Sequence, residues 1–336
     1  MKESGIFIIA EIGQAHDGSL GQAHSYIDAL AETGVDAVKF QIHIAEAESS
    51  IYESFRTPFS YLDETRFEYW KRISFTAEQW LGIKVHCEDK KLAFLATPSS
   101  KAAVDLLLNL GVHKFKVGSG DTNNLLLLEY IANTGKELIL SSGMSSFEEL
   151  DTSVQYLKSR GNKISLLQCT TSYPTDAKQW GLNVIEDFKK RYNIPIGYSD
   201  HSGDIFACLA AATKGAEIIE FHAVFDKRMF GPDSKSSLTI DQINHLVQGI
   251  RQIENALNHP VDKTNNTGFN SVKSIFEKSL SVNKNLPKGH YLSINDLEGK
   301  KPKGMGIPAN YYQAVIGKQL SSDLKQWAFI TENDLQ

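Results

Sequence analysis

Cysteine is scarce in this chain. Cys87, Cys169 and Cys208 are scattered and odd in number, which argues against a disulfide framework and fits a reducing cytoplasm. Long apolar runs are missing too, and no stretch approaches the length needed to span a bilayer. The first strand-like pattern starts within a few residues of the N-terminus and Glu11 interrupts it, so a signal peptide is not expected. Basic residues are not in excess. The formal net charge of -5 gives no reason to expect a nucleic-acid partner. Nor does a glycine-rich dinucleotide fingerprint follow the first strand, which weakens the case for an open doubly wound sheet. What remains is 41% hydrophobic and 22% charged, the composition of a globular enzyme with room for one large domain and a small one.

Eight apolar strand patterns alternate with helical patterns. The strands read IFIIAEIG, VDAVKFQ, LAFLATP, HKFKVGSGD, ELILSSGM, ISLLQCTTSYP, IPIGYSDHS and AEIIEFHAV. Helices are expected over 20–33, 76–90, 101–110, 124–133, 147–159, 184–191, 205–213 and 240–257 from apolar spacing. Regular eightfold alternation predicts a parallel (β/α)8 barrel over residues 1–262. An insertion over 42–74, rich in aromatics, is either a lid or a packed surface excursion. A polar, turn-rich linker is expected at 263–273. Residues 274–336 then form a small β-rich domain with one helix over 308–315. That domain buries only a modest core.

Polar side chains collect at the C-terminal strand ends, where a barrel places its active site. They are Glu11, Lys39, Gln41, Thr97, Lys116, Ser119, Asp121, Ser142, Thr171, Tyr173, Ser199, His201 and His222. His201 and His222 end neighbouring strands and could share one metal ion, with Asp200, Asp204, Glu220, Asp226 and Asp233 around them. Two imidazoles leave positions open for water or substrate, as a catalytic Lewis acid requires. They do not choose among manganese, magnesium, cobalt and zinc. Lys39 and Lys116 in a barrel mouth call for a phosphate or carboxylate, or one of them is a Schiff-base lysine. Thr97, Ser119, Ser142 and Ser199 could add hydroxyl donors. Glu11 and Asp121 could move a proton or orient a water, though Asp121 could instead cap the next helix. Asp233 could bond a sugar hydroxyl or simply make a turn. Lys300, Lys301 and Lys303 lie on a glycine- and proline-shaped loop that is either a solvated face or a cover for substrate.

The motifs IIAEIG, VKFQ, FLATP, FKVGSGD, LSSGM, LLQCTTSYP, GYSDHS and GPDSKSSL, in that order, resemble the sialic acid synthase family, which includes N-acetylneuraminate, legionaminic acid and pseudaminic acid synthases. The C-terminal stretch from LPKGHYLSINDL through KKPKGMGI to IGKQL is similar to that family's antifreeze-like (SAF) domain. The resemblance implies condensation of phosphoenolpyruvate with an N-acylated hexose, such as N-acetylmannosamine or a 2,4-diacetamido-trideoxyhexose. A divalent metal, manganese first and magnesium or cobalt as alternatives, would sit on His201 and His222. Lys39, Lys116, Thr97, Ser119, Ser142 and Ser199 would hold phosphate and carboxylate. Gln41, Thr171, Tyr173, Asp233 and Lys301 would contact substrate, and Glu11 and Asp121 would transfer a proton or orient water. A cytoplasmic homodimer with swapped SAF domains is implied as well. Three positions depart from the family pattern. Asp121 stands for glutamate and Phe221 for lysine. Lys301 stands for arginine and cannot reproduce its planar fork. A Schiff-base aldolase and a non-catalytic sugar-binding relative remain the alternatives.

Overall fold

The structure is a computed structural model and describes residues 5–336. It divides into two compact units, one ending at His259 and one spanning Pro260–Gln336. In chain order the first unit contains β1 (Phe7–Gly13), α1 (Leu20–Ala31), β2 (Ala37–Ile42), α2 (Ala45–Glu48), α3 (Arg66–Ile73), α4 (Ala77–Asp89), β3 (Ala93–Pro98), α5 (Lys101–Asn109), β4 (Lys114–Val117), α6 (Leu125–Ala132), β5 (Glu137–Ser141), α7 (Phe147–Ser159), β6 (Ile164–Cys169), α8 (Leu182–Tyr192), β7 (Ile196–Asp200), α9 (Phe206–Thr213), β8 (Ile218–Val224), β9 (Leu238–Thr239) and α10 (Ile240–Asn258). Strands β1 to β8 pair in sequence order, all parallel, and β8 closes back onto β1. This is the expected (β/α)8 barrel.

The strands are apolar on both faces, as parallel strands covered by helices must be. Outward positions such as Ile8, Val38, Phe94, Phe115, Leu138 and Ile219 join one large core with the helices. Inward positions Ile9, Ala37, Leu95, Ile139, Leu167 and Ile218 form a separate cluster inside the barrel. Gly197 sits beside Leu167 at this level. A Cβ there would lie 2.4 Å from the Ile218 carbonyl oxygen and from Leu167 Cδ2, so only glycine lets the inner layer close. Helix starts are fixed by side-chain caps, with reciprocal capping boxes at Thr76/Gln79, Ser146/Glu149 and Thr239/Gln242.

Strand β4 is shorter than expected. It ends at Val117, and Ser119–Asp121 form a 3-10 turn. The insertion between β2 and α4 contains α2 and α3 and its own buried cluster of Ala45, Tyr69, Trp70 and Ile73, flanked by Phe55, Phe59 and Phe67.

The second unit holds α11 (Asn270–Phe276), β10 (Ser279–Val282) and β11 (Leu297–Lys300), the last two antiparallel. Helix α11 thus begins inside the stretch expected to be a linker. The expected helix near 308–315 is a 3-10 segment, Ala309–Ala314. Nine residues, among them Leu280, Val282, Leu292 and Ile330, form the unit's core. Among the described residues no helix is long and apolar enough to cross a membrane.

Candidate active site

One pleat above the apolar inner layer, the same inward-facing register turns polar. Two residues after Ile9, Ala37, Leu95, Ile139, Leu167 and Ile218 come Glu11, Lys39, Thr97, Ser141, Cys169 and Glu220. Strand pairing places Glu11 between Lys39 on one side and His222 on the other, and Ser199 beside Glu220. A cavity of about 420 Å³ opens here. Its lining includes Glu11, Lys39, Gln41, Thr97, Lys116, Ser119, Asp121, Thr171, Tyr173, Ser199, His201, His222 and Asp233, so the barrel brings these anticipated residues together.

The charges interlock. Lys39 Nζ lies 2.7 Å from Glu11 Oε1 and 3.5 Å from Glu220 Oε1, and Lys116 Nζ is also 3.5 Å from Glu220 Oε1. Lys116 donates to Ser141 Oγ at 2.5 Å, Lys39 to Thr97 Oγ1 at 3.4 Å, and Ser199 to Glu220 Oε1 at 3.1 Å. Among the described residues Glu220 Oε2 has no hydrogen-bond partner. Burial pushes the Lys116 ammonium below its ordinary pKa, with Glu220 only partly opposing. Burial also works against charge on Lys39, but Glu11 and Glu220 overcome it and raise that pKa. Glu11 is buried as well, yet His222 and Lys39 hold its carboxyl well below the usual carboxylate range. Asp121 goes the other way, since burial raises its pKa. Two carboxyl groups pushed apart in this way suit opposite roles in proton transfer.

Ser142 is a correction. Strand β5 ends at Ser141, and the parity of Ile139 puts Ser141, not Ser142, on the inner wall. Ser142 instead donates to Gln168 Oε1 at 3.2 Å and accepts from the Cys169 amide at 3.0 Å. Of the five carboxylates expected around the histidines, only Glu220 and Asp233 line the cavity. Asp200 accepts from the Ser202 amide and hydroxyl, and Asp226 is clasped by Arg228 at the surface. Asp121 does not cap α6. Asn124 does so, while donating its amide to Asp121 at 3.0 Å. Phe221 faces outward into the helix-covered core, so the missing lysine there does not alter the mouth. Lys301 belongs to the second unit, where its Nζ lies 4.7 Å from the centre of the Phe276 ring. There Lys300 covers Trp327, and Lys303 pairs with Glu277.

His201 and His222 have ring centroids 5.2 Å apart. His201 Nδ1 is 3.0 Å from the Thr170 carbonyl. Because a carbonyl only accepts, Nδ1 carries a proton, and Nε2 is the nitrogen left to bind a ligand. His222 Nε2 faces Glu11 Oε2 at 3.2 Å. Burial lowers the His222 pKa. Burial acts the same way on His201, but Cys169 Sγ at 3.8 Å and the Thr170 carbonyl raise it to about 9, so a metal there would displace a proton. Among the described residues no group of three or more His, Cys, Asp or Glu forms a ready-made cage. The donors fit an open two-histidine site rather than a closed structural one.

Sequence reasoning assigned no role to several wall residues. The insertion contributes Phe55, Arg56, Thr57, Phe59, Arg66 and Tyr69 to the cavity. Arg56 lies 3.8 Å over the Tyr173 ring and bonds Asp233 at 2.6 Å. The insertion is therefore both self-packed and part of the site. Gln14, Ser141 and Cys169 also line it, as does Glu220, which was expected only as a carboxylate near the histidines. Inward strand parity was the signal available for Ser141, Cys169 and Glu220. The insertion's contacts had none.

Residues 26–262 match the model of the NeuB family. The chain is 34% identical to the N,N'-diacetyllegionaminic acid synthase of Campylobacter jejuni, over 97% of this chain and 98% of that protein. It is 32% identical to the human N-acetylneuraminate-9-phosphate synthase, over 94% of this chain and 88% of that one. A crystal structure of the N-acetylneuraminic acid (sialic acid) synthetase of Leptospira borgpetersenii in complex with citrate is 32% identical. It superposes with a TM-score of 0.70 and covers 80% of this chain and 90% of that one.

Proposed function

The chain belongs to the NeuB family, and on that footing we propose that it is an enzyme of nonulosonate synthesis joining phosphoenolpyruvate to an N-acylated hexose. N-acetylmannosamine and the 2,4-diacetamido-trideoxyhexoses are the candidate acceptors. The supporting observation is the buried pair Lys39 and Lys116, set among Thr97, Ser119, Ser141 and Ser199 in one cavity. Two ammonium groups and a ring of hydroxyls make a receptor for a small dianion carrying phosphate and carboxylate. Glu220 holds both lysines before that anion arrives.

In this reading C3 of phosphoenolpyruvate bonds to the sugar aldehyde carbon, and the aldehyde oxygen takes up a proton. Water adds at C2, the C2–O bond breaks, and phosphate leaves with the bridging oxygen to give the 2-keto acid. In the same reading Asp121 gives the proton and Glu11 orients the water. Tyr173 and Asp233 face the sugar, with Gln41 and Thr171 on the wall beside them. A divalent ion, manganese or alternatively magnesium or cobalt, would be held by His201 and His222 and supply Lewis-acid polarisation. Residues 274–336 are read as an SAF domain, carried in a cytoplasmic homodimer with Lys301 on its substrate loop.

The test is phosphate release from phosphoenolpyruvate with manganese across N-acetylmannosamine and the two diacetamido-trideoxy hexoses leading to legionaminic and pseudaminic acids. Release with one acceptor, abolished by chelator and by His222→Ala, is the expected result. Full turnover by His222→Ala with undiminished metal content would refute the metal assignment. A Schiff-base reading draws on the lowered pKa of Lys116, a property of imine-forming amines. Borohydride with pyruvate would trap an adduct only under that reading.

A further inference from the structure

The insertion reaches the reacting centre through hydrogen bonds as well as through the cavity wall. Glu48 Oε1, at the end of α2, lies 2.5 Å from His43 Nδ1. His43 Nε2 lies 3.1 Å from Gln41 Oε1. Gln41 Nε2 donates to Glu11 Oε1 at 2.8 Å, and Glu11 Oε2 faces His222 Nε2 at 3.2 Å. Three side chains, Glu48, His43 and Gln41, thus link the insertion to Glu11.

Donor and acceptor counting fixes the direction. Gln41 Oε1 also accepts from Gln14 Nε2 at 2.9 Å, and Gln14 Oε1 is itself held by the Tyr69 hydroxyl at 3.2 Å. A flipped Gln41 would turn its amide nitrogen toward the Gln14 donor and its oxygen toward the Glu11 carboxylate, losing both bonds. Gln41 Oε1 therefore needs a donor from His43, and that donor is Nε2–H. The Glu48–His43 link then holds one proton of its own, whichever of the two atoms carries it. The ring cannot rotate away, because Trp70 stacks on it at 3.6 Å with an interplanar angle of 14°. Ser74 Oγ bonds the His43 carbonyl at 3.0 Å. Both partners are largely buried, with side chains 11% and 8% exposed. Glu48 Oε2 has no hydrogen-bond partner among the described residues, so the carboxylate is held there by His43.

We infer that His43 and Glu48 are a positioning pair, which locks Gln41 with its amide nitrogen toward Glu11 and so sets where the Glu11 carboxylate points during turnover. The inference rests on the proposed role of Glu11 in water orientation and adds a part that strand parity does not reveal. Neither His43 nor Glu48 lines the cavity. Its effect passes through Gln41, and small displacements of a reacting group are costly, up to about a hundredfold for about 1 Å.

The experiment compares His43→Ala, His43→Gln and Glu48→Gln with the full-length wild type in the phosphate-release assay. Expected are a fall in kcat of about tenfold to a hundredfold for His43→Ala, KM for both substrates near wild type, and a smaller fall for Glu48→Gln. Partial recovery is expected in His43→Gln, whose amide nitrogen can replace Nε2. An unchanged kcat, or His43→Gln no better than His43→Ala, overturns the inference. A second readout needs no turnover. With histidines labelled with nitrogen-15, Glu48→Gln should move the resonances of both His43 and His222, the latter through Gln41 and Glu11. A His222 signal that stays in place overturns the relay. A wild type inactive with every acceptor refutes the proposed reaction instead, and the resonance shift still decides the relay.

Discussion

Two layers of the barrel interior lie one pleat apart on the same strands. The lower is Ile9, Ala37, Leu95, Ile139, Leu167 and Ile218. The upper is Glu11, Lys39, Thr97, Ser141, Cys169 and Glu220. Both are buried and share the inward register. Their chemistry is opposite because their neighbours differ. The lower layer is closed in by side chains, whereas the upper opens on a cavity where a ligand can meet its charges. A buried charge is tolerable only with a partner. The upper layer therefore supplies its own partners, Glu11 and Glu220 against Lys39 and against Lys116, whose side chain reaches up from beside Ile139, until an anion replaces them. The lower layer stabilises the barrel, and the upper layer spends stability on function.

The largest expected effect would break this division from above. Lys116→Ala should cut phosphate release about a thousandfold, the scale of removing one charge-stabilising donor, while circular dichroism and the thermal transition stay close to wild type. A loss of activity explained by unfolding would show that the upper layer carries the fold. Next is the lower layer. Leu167→Ala should destabilise the barrel by about 2–5 kcal/mol in denaturant unfolding, with KM for phosphoenolpyruvate unmoved. A shifted KM without lost stability would mean that the two layers are not separable. The smallest effects sharpen the boundary at the end of β5. Ser141→Ala removes the nearest of the acceptors around Lys116 and should raise KM for phosphoenolpyruvate. Ser142→Ala should cost only about 1 kcal/mol of stability and leave KM alone. The reverse pattern would return Ser142 to the cavity wall.

The error at Ser142 shows where sequence reasoning gives out. The run ELILSSGM has two adjacent serines, and a strand's parity is known only once its last paired residue is known. Pairing of Ser141 with Leu167 settles it. The chain then turns sharply at Gly143, where φ is +43° and a Cβ would strike Ser119 at 2.1 Å. Lys39, Lys116 and the two histidines were legible because costly residue types at strand ends stand out. Glu220 was noticed only as a carboxylate near a histidine, although its register already placed it inward. Arg56, His43 and Glu48 were not legible at all. Their roles depend on how a long insertion folds back on itself, and no short-range period encodes that.

The sequence by itself determined the barrel, its strand order and the face on which chemistry collects. Apolar periodicity, helix caps and strand-end polarity are local properties, repeated eight times without contradiction. Only the tertiary structure decided which of two neighbouring serines meets Lys116, that Phe221 turns its back on the mouth, and that the insertion both lines the cavity and grips Gln41. These outcomes depend on register between distant strands and on donor–acceptor matching among side chains far apart in the chain, such as Gln41 with Glu11 or Arg56 with Asp233. Such pairings exist only once barrel closure has fixed the distances.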